Sequence, residues 1–278
     1  MPFFTPSEDP GPSFAALAAT QGLVPSAPTA AVGERLQITH ATTVVAVRYA
    51  DGVVMAGDRR ATSGHLISHR AIEKVFPADR HSGVAIAGAA GPAMEMVKLF
   101  QLQLEHYEKV EGSQLSLEGK ANQLGQMVRS NLPAAMQGLA VVPIFAGFDM
   151  RRSTGRLFQY DITGGRYEES NFATSGSGGS LAGSVVKMRF KEGLTRDDTV
   201  DLAITALFEA ADEDSATGGP DMVRGIYPVI ATITADGFER VPDSEIAQRF
   251  VGLLDSLASR DGGGRISETS TETSGAIQ

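Results

Sequence analysis

The sequence predicts an α+β fold in which antiparallel sheets are covered by helix layers, and three observations carry that reading. Two pairs of β-branched, apolar runs flank the dipeptides Asp51-Gly52 and Asp236-Gly237, and Asp-Gly between such runs is the strongest short hairpin signal. Strand-like and helix-like stretches are grouped, in the order strands, two helices, strands, two helices, strands, helix, without the βαβ alternation of a parallel sheet. The chain has 278 residues, 42% of them hydrophobic, which is enough for a sizeable core, and it shows no internal repeat.

Taken in order, residues 43–49 and 53–56 are the first hairpin, and short strands follow at 69–75 and 82–86. The period then changes to that of a helix. Met94, Val97, Leu104 and Tyr107 fall on one stripe, with Glu95, Lys98, Gln101, Glu105 and Glu108 largely opposite. A second helix is expected over 117–137, kinked or shortened by Pro133, whose ring removes an amide donor and clashes one turn back. Strands return at 141–148, 157–161 and 172–175, helices at 181–191 and 199–211, a strand pair at 226–234 and 238–241, and a last helix at 244–257.

Both ends read differently. Residues 1–36 carry Pro2, Pro6, Pro10, Pro12, Pro25 and Pro28 among small residues, a mixture expected to bury too little to offset its ordering entropy. Acidic Glu8 and Asp9 precede the apolar piece 14–19, and the first basic residue is Arg35, the reverse of a secretory signal. After Arg260 the chain is low in complexity and reads as a tail.

Composition excludes several functions. A net charge of −9 without a basic stripe argues against nucleic-acid binding. No stretch approaches eighteen consecutive apolar residues, so no membrane span is expected. With no cysteine there is no thiolate nucleophile or disulfide, which suits a cytoplasmic protein. Signatures of serine hydrolases, phosphate-binding loops, zinc proteases and dinucleotide sites are missing, and the five histidines stand in no H-E-x-x-H pattern and have no cysteine to join them. Neither metal nor cofactor is expected.

One constellation remains: Thr42 at the mouth of the first strand, Asp58 and Arg60 just after the second, Lys74 sixteen residues on, and Gly88 where a strand meets a helix. Spacing alone leaves open whether these are catalytic or an ordinary turn with a solvated lysine.

The segment TTVVAVRYADGVVMAGDRRAT, with IEKVF at 72–76, AIAGAAGPAMEMVKLF at 85–100, SGSGGSLA at 175–182 and DEDSATGGPDMVRGIYP at 212–228, resembles the proteasome β-subunits of the prokaryotic, actinobacterial type. The resemblance runs from Thr42 to Leu257 and implies an N-terminal nucleophile hydrolase: a four-layer αββα sandwich with two antiparallel sheets between helix layers. It implies three parts: a propeptide, 1–41, removed by self-cleavage between Ala41 and Thr42, a threonine endopeptidase domain, 42–260, and a tail, 261–278. Thr42 would be the nucleophile and its freed α-amine, which titrates near 7.7 to 8.0 in model peptides, the general base. Lys74, paired with Asp58, would ease deprotonation, the Gly88 N–H would hold the oxyanion, and Ser177, Asp214 and Thr217 would support the terminal amine. Ala61, Thr62, Ile86, Ala90 and Met94 would line an apolar substrate pocket. The implied partners are α-subunits and other β-subunits in stacked seven-membered rings, an ATPase unfoldase and tagged protein substrates. The family has Gly where this chain has Ala41, a departure expected to slow processing. Three other readings stay open at this stage: a non-catalytic ring subunit, the simpler bacterial ATP-dependent protease, and an amidohydrolase of small amides.

Overall fold

The computed structural model describes residues 14–20 and 42–262. β1 (Thr43–Tyr49) and β2 (Gly52–Gly57) form the expected hairpin, paired from Val44↔Gly57 to Tyr49↔Gly52. They are the centre of a five-stranded antiparallel sheet of order β10-β1-β2-β11-β12, with β10 at Phe172–Gly176, β11 at Val229–Thr234 and β12 at Gly237–Arg240. A second sheet runs β5-β6-β7-β8-β9, from β5 (Val75–Asp79) and β6 (Ser82–Gly88) to β7 (Val141–Asp149), β8 (Thr154–Tyr160) and β9 (Arg166–Glu169).

Both central strands of the first sheet are apolar on both faces, because each face is covered. Three buried layers result. Val44, Ala46, Met55, Ala85, Ala87, Ile144 and Ala231 fill the space between the sheets. Val45, Val47, Val54 and Ile230 meet α5 (Gly179–Arg189), α6 (Arg196–Glu213) and α7 (Asp243–Gly262) on the outer side of the first sheet. Phe145 and Phe158 of the second sheet meet Phe100 of α2 (Ala90–Glu111) and Leu124 of α3 (Leu117–Ser130). This is the four-layer αββα sandwich. Among the described residues no helix is long and apolar enough to cross a membrane.

Four local expectations need correction. The strand expected at 69–75 is broken: its first residue ends β4 (Leu66–His69), which forms a small hairpin with β3 (Ala61–Ser63), and an irregular stretch follows before β5. Its mostly exposed residues lack the apolar alternation that marks a half-buried strand. β9 was also unreadable, since Arg166, Glu168 and Glu169 carry no strand signal; its place is fixed by pairing with β8 and by Arg156, whose guanidinium grips Glu168 at 2.6 and 2.7 Å. The second helix ends at Ser130, and a separate turn, α4 (Leu132–Ala135), carries Pro133 near its start, where a missing amide is harmless. Finally, the leader is not wholly without structure. α1 (Phe14–Thr20) packs on α2, with the Phe14 ring 5.5 Å from that of His106 and Ala18 buried. The last helix runs on to Gly262, and residues 1–13, 21–41 and 263–278 lie outside the described part.

Candidate active site

Antiparallel pairing puts the start of β1 beside the end of β2, and so brings Thr42 and Thr43 next to Asp58; Asp58 N–H donates to the Thr43 carbonyl at 3.1 Å. Lys74 comes from the other sheet, one residue before β5. Its Nζ donates to Asp58 Oδ1 and to the Arg60 carbonyl, each at 2.6 Å. Asp58 is 0% exposed and Lys74 3%, so this pair needs full compensation, and it has it. Asp58 Oδ1 also accepts the Thr43 N–H at 2.8 Å, and Oδ2 accepts those of Arg60 at 2.8 Å and Gly218 at 2.9 Å. Burial pushes the Lys74 ammonium below the ordinary lysine value, while Asp58 pulls it back up.

On the other side of Thr42 lies the turn between β10 and α5. The Thr42 carbonyl accepts from Ser177 N–H at 2.9 Å, with Ser177 Oγ 3.4 Å away. Ser177 Oγ donates to Asp214 Oδ2 at 2.6 Å, and Thr217 Oγ1 donates to the same oxygen, also at 2.6 Å. Burial works to raise the Asp214 carboxyl, but these two hydroxyls, the Ala216 N–H and the nearby Arg60 charge together hold it below the ordinary carboxylate value. Gly176 makes the turn possible: its φ is +100°, and a Cβ there would lie 1.8 Å from the Thr42 carbonyl oxygen.

Thr42, Lys74 and Gly88 line one cleft of about 280 Å³ whose lining is predominantly apolar, and the five residues expected to contact substrate, Ala61, Thr62, Ile86, Ala90 and Met94, line it too. A glycine at 88 is explained by the local backbone: its φ is +116° and a Cβ would meet the Ala140 carbonyl oxygen at 2.1 Å, so the constraint is internal to the fold. Sequence reasoning missed three parts of the surroundings. Ser68 and His69 reach the cleft on the unforeseen β4, and Leu139 on the loop before β7. Arg60, noted for its position only, accepts from Lys74 with its carbonyl and donates to Asp58 with its N–H. Thr43, buried beside Asp58, was not singled out; nothing in Thr-Thr at a strand start distinguishes it. Ala41 lies outside the described residues.

Two antiparallel sheets between helix layers are the fold of the N-terminal nucleophile hydrolases, and here a threonine precedes β1 beside a buried lysine–aspartate pair. A profile of the family described as Proteasome subunit matches residues 38–224. A protein named Proteasome subunit beta from Acidimicrobium ferrooxidans is 55% identical over 262 residues, covering 94% of this chain and 95% of its own. One of the same name from Streptomyces griseus subsp. griseus is 56% identical over 220 residues, 79% of this chain and 78% of its own. The chain belongs to the proteasome subunit family, as a β-subunit of the prokaryotic type.

Proposed function

We propose that this threonine-type endopeptidase subunit works from Thr42 as an N-terminal nucleophile, exposed when the chain cuts itself after Ala41. The observation that carries the reading is the buried Lys74–Asp58 pair, whose lysine lines the same cleft as Thr42, an enclosed charge with a desolvation cost of the kind that accompanies functional sites. In the proposed cycle Thr42 Oγ attacks the scissile carbonyl and its proton passes to the α-amine. The Gly88 N–H takes the oxyanion, and the protonated amine gives its proton to the leaving amine. Water, deprotonated by the same amine, then hydrolyses the ester and restores the hydroxyl. Lys74 keeps a positive charge beside the oxygen, and Asp58 fixes Lys74. Ser177 and Asp214, joined to Thr42 through its carbonyl, orient the terminal nitrogen.

Leader removal uses the same oxygen on the Ala41 carbonyl, so residues 1–41 are read as a propeptide, 42–260 as the working domain and 261–278 as a tail. As a β-subunit, the chain assembles with α-subunits into a core particle. The stacked seven-membered arrangement, an ATPase that feeds tagged and unfolded proteins, and a cytoplasmic setting complete the proposal. The test is the N-terminus of the assembled, peptidase-active particle. It is expected to begin at Thr42, and Thr42→Ala particles are expected to keep residue 41 and lose activity. An active wild-type particle that retains Ala41 would overturn the mechanism, because an amide nitrogen cannot be the base.

A further inference from the structure

Thr43 contributes a hydroxyl that the mechanism above does not use. The residue is 0% exposed, and its Oγ1 lies 2.6 Å from Thr217 Oγ1 and 3.0 Å from the Gly178 nitrogen. The direction of this chain of bonds is fixed by its ends. The Gly178 N–H can only donate, so Thr43 Oγ1 accepts it. At the far end the Asp214 carboxylate can only accept, so Thr217 gives it its single hydroxyl proton, at 2.6 Å. Thr217 therefore has only lone pairs left for Thr43, and the Thr43 proton must point at Thr217. The sequence of donors runs Gly178 N–H to Thr43, Thr43 to Thr217, Thr217 to Asp214, and Asp214 Oδ2 also takes the Ser177 hydroxyl.

We propose that Thr43 is a positioning residue: its hydroxyl polarises Thr217 and ties the turn before α5 to the loop after α6, so that Asp214 and Ser177 are held ready beside Thr42. A separate observation fits. At Gly178 a Cβ would come 2.5 Å from Thr43 Oγ1, 2.6 Å from Thr217 Oγ1 and 3.2 Å from Asp214 Oδ2, so the chain keeps this spot bare where the relay passes. Hydrogen bonds in such a chain strengthen one another, and one ending on a carboxylate is of the stronger, charge-assisted kind. The N–H of the same Thr43 is spent on Asp58, so one residue touches both the lysine side and the carboxylate side of the site.

The inference rests on Thr42 being the nucleophile, and the experiment separates the two. Thr43→Val keeps the shape and removes the hydroxyl; Thr43→Ser keeps the hydroxyl and removes the methyl. In assembled particles Thr43→Val is expected to lower kcat about tenfold with KM nearly unchanged, through the loss of the two hydrogen bonds its hydroxyl makes with the Gly178 N–H and with Thr217. Its acid limb of kcat is expected to move to higher pH, because a less polarised Thr217 lets Asp214 take a proton sooner. Thr43→Ser is expected to restore both. A Thr43→Val particle with wild-type kcat and pH profile overturns the proposal, as does a Thr43→Ser particle as impaired as Thr43→Val, which would make the methyl the important group. If Thr43→Val does not assemble, the pH profile of Thr43→Ser against Thr43→Ala decides, the first expected normal and the second shifted. Activity surviving in Thr42→Ala would instead refute the underlying reading, whatever Thr43 does.

Discussion

At the scale of single residues, Asp58 has no conservative replacement. Its two oxygens receive four donors, two each, so an amide in its place must aim an N–H₂ group at N–H donors on one side or the other. Asp58→Asn is expected to leave Lys74 without its counter-charge and to cost about 3 to 5 kcal/mol, read as a lower melting temperature of the particle. Peptidase activity should fall about 10²- to 10⁴-fold, and leader removal should slow with it. Lys74→Ala should lose activity to the same extent; normal processing with dead peptidase activity would confine Lys74 to the mature enzyme. The pH dependence follows from the lowered Lys74 value. The ammonium is present below that value, so kcat should decline on the alkaline side earlier than an ordinary lysine allows. Between the folded and unfolded values the unfolded chain holds more protons, so the burial penalty of Lys74 shrinks, and stability from this group rises, as pH climbs towards 10.5. A kcat profile flat to pH 10 would contradict this.

At the scale of elements, the cleft and its turns make separable demands. Because the cleft is largely apolar, with Ile86, Ala90, Met94 and Leu139 on its walls, substrates cleaved after Leu or Tyr should exceed those cleaved after Arg or Glu in kcat/KM. Fluorogenic peptides differing only at that position measure it, and dominant cleavage after Arg or Glu would reverse it. Two left-handed glycines should behave oppositely. Gly176→Ala drives a Cβ into the Thr42 carbonyl and should yield no active particle, whereas Gly193→Ala, also at positive φ but with nothing near, should cost about 1 kcal/mol and leave activity intact. The hairpins at Asp51-Gly52 and Asp236-Gly237 were legible because turn chemistry is local. The β3–β4 hairpin and β9 were not, because neither has an apolar period of its own; β9 is placed by pairing with β8 and by the Arg156–Glu168 ion pair. For the site, Thr42, Asp58, Lys74 and Gly88 could be picked out as a group but not assigned work until a resemblance supplied roles. Thr43 and the Arg60 carbonyl stayed invisible, since backbone groups and a buried hydroxyl leave no pattern in composition.

At the scale of the whole molecule, several partly exposed carboxylates charge more easily when folded. Hydrogen bonds from Arg156 hold Glu168 below the ordinary value against its partial burial, and those from Arg196 and Arg249 do the same for Glu245 of α7. A depressed carboxyl adds stability above its unfolded value, here 4.5, and loses it as pH falls through the folded one. The particle should therefore hold its melting temperature down to about pH 5 and lose it steadily below 4.5, with Arg249→Ala flattening the acid slope. An acid slope unchanged in that variant would remove these pairs from the account.

The site straddles the two sheets: Thr42 and Asp58 belong to one, Lys74 and Gly88 to the other. What fixes the gap between them is the sandwich filling, where Ala46, Ala85, Ala87, Ala146 and Ala231 sit among a few larger side chains. The filling thus acts as a spacer whose thickness is written in methyl groups. Widening it at a point away from the proposed site, as in Ala146→Val, is expected to shift the Thr42–Asp58 side against the Lys74–Gly88 side. On the proposed mechanism turnover would therefore depend on interlayer distance, and Ala146→Val is expected to lower kcat in an assembled particle whose Thr42, Asp58, Lys74 and Gly88 are unchanged; wild-type kcat in that variant would remove the filling from the account.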